Sequence, residues 1–384
     1  MRHHQYNPRF TFVKEPEEFD RNTDRALLQY CLGATMYMPG TKDFLKEILE
    51  NKYPGLTSIV MCFEDACPEN DVEKAEKNVL NLLEYLSEKV AAGELDNSDI
   101  PLIIVRVRNN DQFNHFSEKL QPKHLEMLTA INFPKFNSCN GDDYFSKLQE
   151  INEKYGKKLY GMPIIEDRLV AFSESRIDEL VKIKGILDRY KELVLNVRVG
   201  CTDFSSCFGV RRDVDYTIYD ISTVRDILAD ILNLFSRDNE YTVSGPVWEY
   251  FKINRSMKFQ QLPKIDLQQS LLRRTPLIND EIDGLMRELI LDKANGFIGK
   301  TIIHPSHIQY VNGMYAVTKD EYEDAVQILS KDGGVQKSVS SNRMNENKPH
   351  HSWAEKIVMR SRAYGVIENE LSYLELFGQN MKGH

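Results

Sequence analysis

Eight short β-rich runs alternate with longer helical stretches along most of the chain, and this alternation limits the fold more than any other feature of the sequence. The intervening stretches, such as 72–93 and 222–236, carry apolar residues at helical spacing. Strands that alternate with helices are typical of a parallel sheet. Eight such units within roughly 300 residues suit a closed (β/α)8 barrel, which needs about 250 residues before insertions. The predicted strands are 34–38, 58–63, 101–107, 128–135, 159–165, 192–199, 241–247 and 300–305.

An open doubly wound sheet is the alternative, but no GxGxxG motif opens the first unit. We therefore predict an α/β protein, a TIM barrel with a C-terminal helical lid. Residues 333–352 are rich in Gly, Ser and Asn and are typical of a flexible linker. The predicted division is an N-terminal segment 1–32, a barrel 33–332, the linker, and a helical extension 353–384 that docks on its own barrel or on a neighbour's.

The composition argues against several classes of function. A net charge of −9 and a pI near 5.6 argue against nucleic acid or an anionic membrane as the main partner. The sequence has no window apolar enough to span a bilayer, and its first residues lack the apolar run of a signal peptide. The six cysteines form no CxxC pair and the nine histidines no HExxH cluster. We expect a cytoplasmic protein with reduced thiols, and not a zinc enzyme.

Polar side chains follow or end most of the predicted strands, where a barrel has its active-site mouth. Strand alternation places Val105 and Val107 on one face, and Arg106 and Arg108 on the other. By the same rule Arg198 points into the barrel, where a charge needs a partner. The polar residues at the strand ends are Glu64, Asp65, Arg106, Arg108, Lys135, Glu166, Asp167, Asp203 and His304.

Each of these residues also has an ordinary structural interpretation. A single acid at a strand end is more often a helix cap or a surface charge than a ligand. Lys135 alone is typical of a solvated lysine, and Arg198 of a charge that balances inward carboxylates. His304 suits a turn cap as well as a catalytic role. The joint pattern, acids at three strand ends and bases at three others, favours a hard cation and an anionic substrate.

The donor set points to magnesium, because carboxylate oxygens without a thiolate or imidazole cluster suit this ion better than zinc or copper. A nearby arginine would clamp a substrate carboxylate through two parallel hydrogen bonds. Together these groups stabilise an enolate that forms beside a carbonyl. The predicted chemistry is cleavage of a carbon–carbon bond, or its reverse.

An ordered set of motifs over residues 33–310 resembles the HpcH/HpaI aldolase and citrate lyase β-subunit superfamily, which includes the malyl-CoA lyases. The most specific of them is GFIGKTIIHPSHI, at 296–308. The other matching segments are MYMPG (36–40), CFEDACPENDVEKAEKNV (62–79), VRVRN (105–109), FPKF (133–136), the pair Glu166-Asp167, and GCTDFSSCFGVRR (200–212).

The resemblance implies a TIM barrel whose magnesium ligands are Glu166 and Asp203. It implies that Arg106 clamps the carboxylate of a keto acid or hydroxy acid substrate. Glu64 and Asp65 would orient the site and the waters of the metal.

Arg108 and Lys135, two further bases at the same rim, are additional candidates for substrate binding. Family members carry a catalytic acid in a C-terminal lid, and Glu346 is the nearest acid here, one residue out of alignment. The resemblance also implies a coenzyme A thioester as a candidate substrate, although no adenine or pyrophosphate pocket signal supports it. It further implies a homo-oligomer, a trimer or hexamer, in which the tail reaches a neighbour's site.

Three departures mark a divergent branch, the TIM-barrel carbon–carbon bond lyases. Cys62 stands where the family has an Asp, Asp167 replaces a Thr, and Arg108 replaces an Asn. We expect a magnesium-dependent lyase that cleaves a β-hydroxy acid or acyl compound by a retro-aldol or retro-Claisen step. Two alternatives stay open: thioester hydrolysis or other enolate chemistry at the same site, and a non-catalytic barrel that acts as a binding or assembly subunit.

Overall fold

The computed structural model describes residues 1–252, 267–330, 333–338 and 344–378. Its central feature is one sheet of eight parallel strands in the order β7-β6-β5-β4-β3-β2-β1-β8. The strands are β1 Ala34–Pro39, β2 Ser58–Cys62, β3 Leu102–Arg106, β4 Leu128–Phe133, β5 Tyr160–Ile165, β6 Val197–Val199, β7 Val243–Ser244 and β8 Lys300–Ile302. Seven lie within the predicted runs, and β1 extends one residue beyond its run, to Pro39.

The sheet closes on itself. On one side β8 pairs with β1 through Ala34 and Lys300. On the other side a parallel bridge joins Gly245 to Lys300, and the Gly245 N–H donates to the Gly299 carbonyl at 2.9 Å. The predicted (β/α)8 barrel is therefore confirmed.

The sixth and seventh strands are shortened most relative to the predicted runs. A 3-10 turn at Lys191–Leu193 occupies the start of the sixth run, so that β6 begins only at Val197. The seventh run stops at Ser244, two residues before Pro246, whose missing N–H could not extend the ladder.

The helices cover the outside of the barrel. They are α1 Arg25–Leu28, α2 Leu45–Leu49, α3 Val72–Ala91, α4 Asn110–Lys119, α5 Pro122–Leu125, α6 Gly141–Tyr155, α7 Arg168–Ala171, α8 Ser173–Arg189, α9 Cys201–Cys207, α10 Ser222–Phe235, α11 Leu267–Leu272, α12 Asp280–Asn295, α13 Ile308–Met314, α14 Lys319–Leu329, α15 His351–Tyr364 and α16 Ser372–Leu376. The α3 helix shows why these segments are helical, because Ala75, Val79, Leu82, Leu83 and Leu86 bury one face at helical spacing. The strands beneath are buried along their length, as both faces of a covered parallel sheet are.

The C-terminal segment packs on its own barrel. Two short strands, β9 Val317–Thr318 and β12 Val366–Ile367, pair in parallel. The α15 helix packs against α14, and its residue Ser352 accepts a hydrogen bond at 2.8 Å from the Asn239 side chain, which precedes β7. The tail thus lies near the amino-terminal ends of the strands, away from the mouth.

The predicted linker contains regular structure where it is described. Strands β10 Val335–Lys337 and β11 Met344–Glu346 pair as an antiparallel hairpin. The Asn345 side chain anchors this hairpin by donating to Asp324 on α14 at 3.0 Å. The expectation of a plain flexible linker was therefore wrong for these residues, because backbone pairing and this buried contact order them. The other domain boundaries stay a prediction.

Within the described residues, no helix is both long and apolar enough to cross a membrane.

Candidate active site

A cavity of about 500 Å³ opens at the carboxyl-terminal ends of the barrel strands. Its lining includes four of the residues predicted for the site: Asp65, Arg106, Glu166 and Asp203. They come from the loop after β2, the end of β3, the end of β5 and the first turn of α9. Parallel strands in a barrel bring their carboxyl ends to one rim, and this topology gathers residues that are far apart in the chain.

Glu166 is held rigidly at the centre of this group. It follows β5 directly and is only 6% exposed. The Lys135 backbone N–H donates to Glu166 Oε1 at 2.9 Å, and Lys135 adopts a positive φ of 47° in the turn that aims this N–H. On its other side the carboxylate packs against Gly200, where an added Cβ would lie 2.5 Å from the Glu166 Cβ and overlap the carboxylate.

Asp203 faces Glu166 from α9, and the two side chains share a hydrogen bond. Burial raises the pKa of Glu166 to about 7; Arg106 opposes this shift and Asp203 adds to it. Burial also raises the pKa of Asp203, with Asp65 adding to the shift and Lys135 opposing it. Ionising both of two facing carboxyls that are shielded from water is energetically unfavourable. At neutral pH the pair is therefore partly protonated.

These two carboxylates fit a magnesium ion. Magnesium is commonly held by one or two protein carboxylates, with waters and substrate oxygens completing its shell. The fit rests on the pair's geometry and raised pKa values, since a bound divalent cation would favour the ionised form of both carboxylates. In the described part of the chain, no group of three or more His, Cys, Asp or Glu side chains is arranged to hold a metal, so this donor set is limited to two.

A network of opposite charges supports the site. Glu64, 7% exposed, accepts hydrogen bonds from the Arg106 guanidinium and the Lys135 ammonium. Arg106 Nη2 also donates to Asp65 Oδ2 at 2.6 Å. The buried Arg106 Nε has no hydrogen-bond partner among the described residues. Glu64 thus fixes the two bases, while Asp65 and Arg106 border the cavity.

Two of the residues at this rim have local structural contacts. Arg108 Nη1 donates to the carbonyls of Phe63 and Cys67, at 3.1 and 3.2 Å, and so holds the loop after β2. Asp167 caps α7, accepting from the Leu169 N–H at 2.8 Å. The helix-cap interpretation of an acid at a strand end therefore applies to Asp167. The contacts of Arg108 point to support of the loop rather than to direct contact with substrate.

The closing strand carries structural residues as well. Lys300 is fully buried and donates to Glu288 at 2.8 Å and to Asp292 at 2.6 Å. His304 accepts from the Ser306 N–H at 3.2 Å and caps the following turn.

Glu346 does not join the cavity of its own barrel. It ends β11, and its backbone N–H donates to His350 Nδ1 at 3.1 Å, next to the start of α15. Because α15 begins near the amino-terminal ends of the strands, Glu346 is remote from the mouth. Within one chain Glu346 therefore lies away from the cavity, and its predicted catalytic role stays a prediction that requires a neighbouring copy. The sequence gives no information about which end of the barrel the tail covers.

The structure adds residues that were not predicted for the site. Tyr37 and Thr301 line the cavity, and Asn132 donates a hydrogen bond to the Tyr37 hydroxyl across the barrel. Strand alternation, applied to β1, would have placed Tyr37 on the inner face with Thr35. Arg198 lines the cavity too, but contacts hydroxyl groups instead of the carboxylates expected for it.

Comparisons with known proteins agree with this fold. The family model described as C–C bond lyase of the TIM-barrel fold matches residues 26–366. The citrate lyase subunit beta of Leuconostoc mesenteroides subsp. cremoris is 30% identical over 105 residues, which are 26% of this chain and 33% of that protein. The chain thus aligns with about a third of the length of this curated relative.

Two solved structures share the architecture. CitE from Mycobacterium tuberculosis, in complex with magnesium, acetoacetate and coenzyme A, has a TM-score of 0.51 at 15% identity, covering 87% of this chain and 99% of that one. The Haloferax volcanii malate synthase, in a magnesium/glyoxylate complex, also has a TM-score of 0.51, at 12% identity, with 78% and 76% covered. At such identities the likeness shows the fold alone.

The fold and the family match together define the class of this protein. The chain belongs to the family of C–C bond lyases of the TIM-barrel fold. The resemblance drawn from its motifs is thereby confirmed.

Proposed function

We propose that the protein is a magnesium-dependent lyase that cleaves a carbon–carbon bond of a β-hydroxy acid, or of its acyl thioester, by a retro-aldol or retro-Claisen step. The observation that carries the proposal is the pair Glu166 and Asp203. Both carboxyls have raised pKa values, they face one another, and they border a cavity that also holds an arginine.

Glu166 and Asp203 would hold the magnesium ion, which supplies charge stabilisation for an enolate oxygen. Arg106 borders the same cavity and would bind the carboxylate of the keto acid half. Its orientation is already set by Glu64 and Asp65, so little entropy is lost when substrate binds.

Asp65 is the candidate proton acceptor in this set. It lines the cavity, its side chain is 58% exposed, and Oδ2 already accepts from Arg106. As the bond breaks, Asp65 would take the hydroxyl proton, and the electron pair of the bond would move into the enolate half. Lys135, whose ammonium donates to Glu64 and lies 3.7 Å from Asp65 Oδ1, would hold both acids in position and assist substrate binding.

The acyl half of the substrate and the assembly are part of the same proposal. The complex of CitE contains acetoacetate and coenzyme A, which supports testing acyl thioesters beside simple acids. Glu346 would reach a cavity only in a neighbouring copy, so a catalytic role for it goes with a homo-oligomer, a trimer or hexamer. We expect the enzyme to act in the cytoplasm on these small acids.

The decisive experiment is isothermal titration of magnesium into chelator-stripped protein, with and without pyruvate, glyoxylate or oxaloacetate. We expect keto acid binding only in the presence of magnesium, and its loss in both Glu166→Gln and Asp203→Asn. Asp167→Asn is the matched control, because Asp167 neighbours Glu166 but caps a helix. If no magnesium binds to the folded wild-type protein, the non-catalytic barrel becomes the better proposal.

Product analysis separates the two kinds of enzyme. A lyase yields two carbon fragments from one skeleton, whereas a thioester hydrolase yields an acid and a thiol. If a substrate is found and both magnesium-ligand variants turn it over at the wild-type rate, the assignment of Glu166 and Asp203 is wrong.

A further inference from the structure

Arg198 is a buried charge inside the barrel whose described hydrogen-bond partners are hydroxyl groups. It is 1% exposed. Nη2 donates to Thr301 Oγ1 at 2.5 Å, and Nη1 lies 3.5 Å from Ser244 Oγ. Its guanidinium stands over the Tyr37 ring, 5.5 Å from the centroid. Nε is buried with no hydrogen-bond partner among the residues described.

The other buried arginines of the described chain each have a carboxylate partner. These pairs are Arg106 with Glu64, Arg176 with Asp230, Arg212 with Glu288 and Arg360 with Glu321. For Arg198, no ion pair is formed with any carboxylate in the described ranges. A buried cation without a counter-charge is strongly unfavourable, so this position is built for an anion that arrives with a ligand.

Arg198 belongs to the same cavity as the carboxylate pair, but lies deeper. Arg198 on β6 is the register partner of Ile164 on β5. Gly200 lies two residues further along the chain, towards the mouth, and packs against the Glu166 carboxylate. Two residues along a strand rise roughly 6.6 Å. Both ends border one continuous space, since Arg198, Thr301, Glu166 and Asp203 all line it. A four-carbon diacid is of comparable length.

We propose that Arg198 binds a second carboxylate of the substrate, so that the enzyme is specific for a dicarboxylate whose keto acid end lies at Glu166 and Asp203. The proposal rests on the function proposed above and deepens it. A guanidinium presents two parallel donors that match one carboxylate, and the Thr301 hydroxyl lies beside them. Arg106, the other charged base that lines the described cavity, is assigned above to the carboxylate of the keto acid half, so Arg198 is the one left for a second carboxylate.

The test compares two ligands of the same skeleton by titration at saturating magnesium. Oxaloacetate carries a second carboxylate where 2-oxobutyrate has a methyl group. We expect the wild-type protein to bind oxaloacetate about 10- to 100-fold more tightly, the range for hydrogen bonds to a charged group. In Arg198→Gln this preference should disappear, while the affinity for 2-oxobutyrate stays within about twofold of wild type. Arg198→Lys should retain part of the preference, because lysine keeps the positive charge but lacks the two parallel N–H donors of the guanidinium.

Arg189→Gln serves as the matched control, because Arg189 lies on the exposed face of α8 and pairs with Asp142. Equal wild-type affinities for the two ligands, with both still dependent on magnesium, would overturn the second carboxylate site and leave the proposed function standing. A preference that survives in Arg198→Gln would overturn the assignment to Arg198. Loss of magnesium-dependent binding of both ligands in the wild type would overturn both proposals. If Arg198→Gln does not fold, the wild-type comparison and Arg198→Lys decide the question.

Discussion

Replacing Glu166 with Gln is expected to stabilise the metal-free protein at pH 8, although it removes a proposed magnesium ligand. An unfolded glutamate has a pKa near 4.5, whereas burial raises the folded pKa of Glu166 to about 7. The folded state therefore holds the extra proton between these pH values. The stability that this proton contributes is complete below pH 4.5 and is lost as the pH rises through 7.

The magnitude follows from the shift. At about 1.4 kcal/mol per pKa unit, the rise from 4.5 to about 7 corresponds to about 3 kcal/mol. Glutamine has nearly the same shape and does not titrate, so it avoids this loss. The variant should therefore exceed wild type by up to about 3 kcal/mol in free energy of unfolding at pH 8, and the difference should vanish below pH 4.5. The gain is shared with Asp203, because the two acids titrate together.

The assay is urea unfolding in chelator at pH 4.5, 6 and 8, with Glu64→Gln as the matched control. Glu64 is as buried as Glu166, at 7% against 6%, but it accepts from Arg106 and Lys135. Breaking a buried ion pair typically costs about 3–5 kcal/mol, so the same substitution should destabilise there. Excess magnesium should close the gap at pH 8 by stabilising wild type alone, by about 2.7 kcal/mol at 100 times Kd. If Glu166→Gln is less stable than wild type at pH 8 without metal, the conclusion that burial raises the pKa of this carboxyl is wrong.

Three further predictions concern the same site. Gly200→Ala should displace the Glu166 carboxylate and weaken magnesium binding at least about tenfold in calorimetry, since the added Cβ leaves no room for it; unchanged affinity would show that the carboxylate is not held there. Wild-type magnesium affinity should fall by up to about tenfold per pH unit below pH 7, because protons compete for Glu166; titrations at pH 6 and 8 that agree would contradict this. Asp167→Ala should cost about 1 kcal/mol of stability as a lost helix cap and leave magnesium affinity unchanged; lost binding with intact stability would make Asp167 a ligand.

The residues that sequence patterns predicted well are those whose role follows from position along one strand. Arg106 ends β3 and Glu166 follows β5, so strand order and alternation place both at the mouth of a barrel. Asp167 follows the same logic, because an acid before a helical pattern is a cap wherever the helix lies.

Predictions that depended on contacts between distant segments were less complete. The sequence predicted that carboxylates would balance Arg198, but the carboxylate of Glu64 pairs with Arg106 instead. Arg198 contacts the hydroxyls of Ser244 on β7 and Thr301 on β8. The stagger of the strands in the closed barrel decides which inward charges form pairs. The periodicity of one strand does not contain this information.

The sequence by itself determined the barrel, its eight strands, its family and the ring of charged residues at the strand ends. These features follow from short-range patterns of apolar and polar residues, which repeat along the chain and need no partner to be recognised. Only the tertiary structure decided how these charged residues pair. Glu64 neutralises two bases, Glu166 and Asp203 face each other with raised pKa values, and Arg198 has no carboxylate partner among the described residues. The tail with Glu346 lies at the opposite end of the barrel. Charge pairing inside a protein depends on separations of a few ångströms and on exclusion of water, and closure of the barrel sets both.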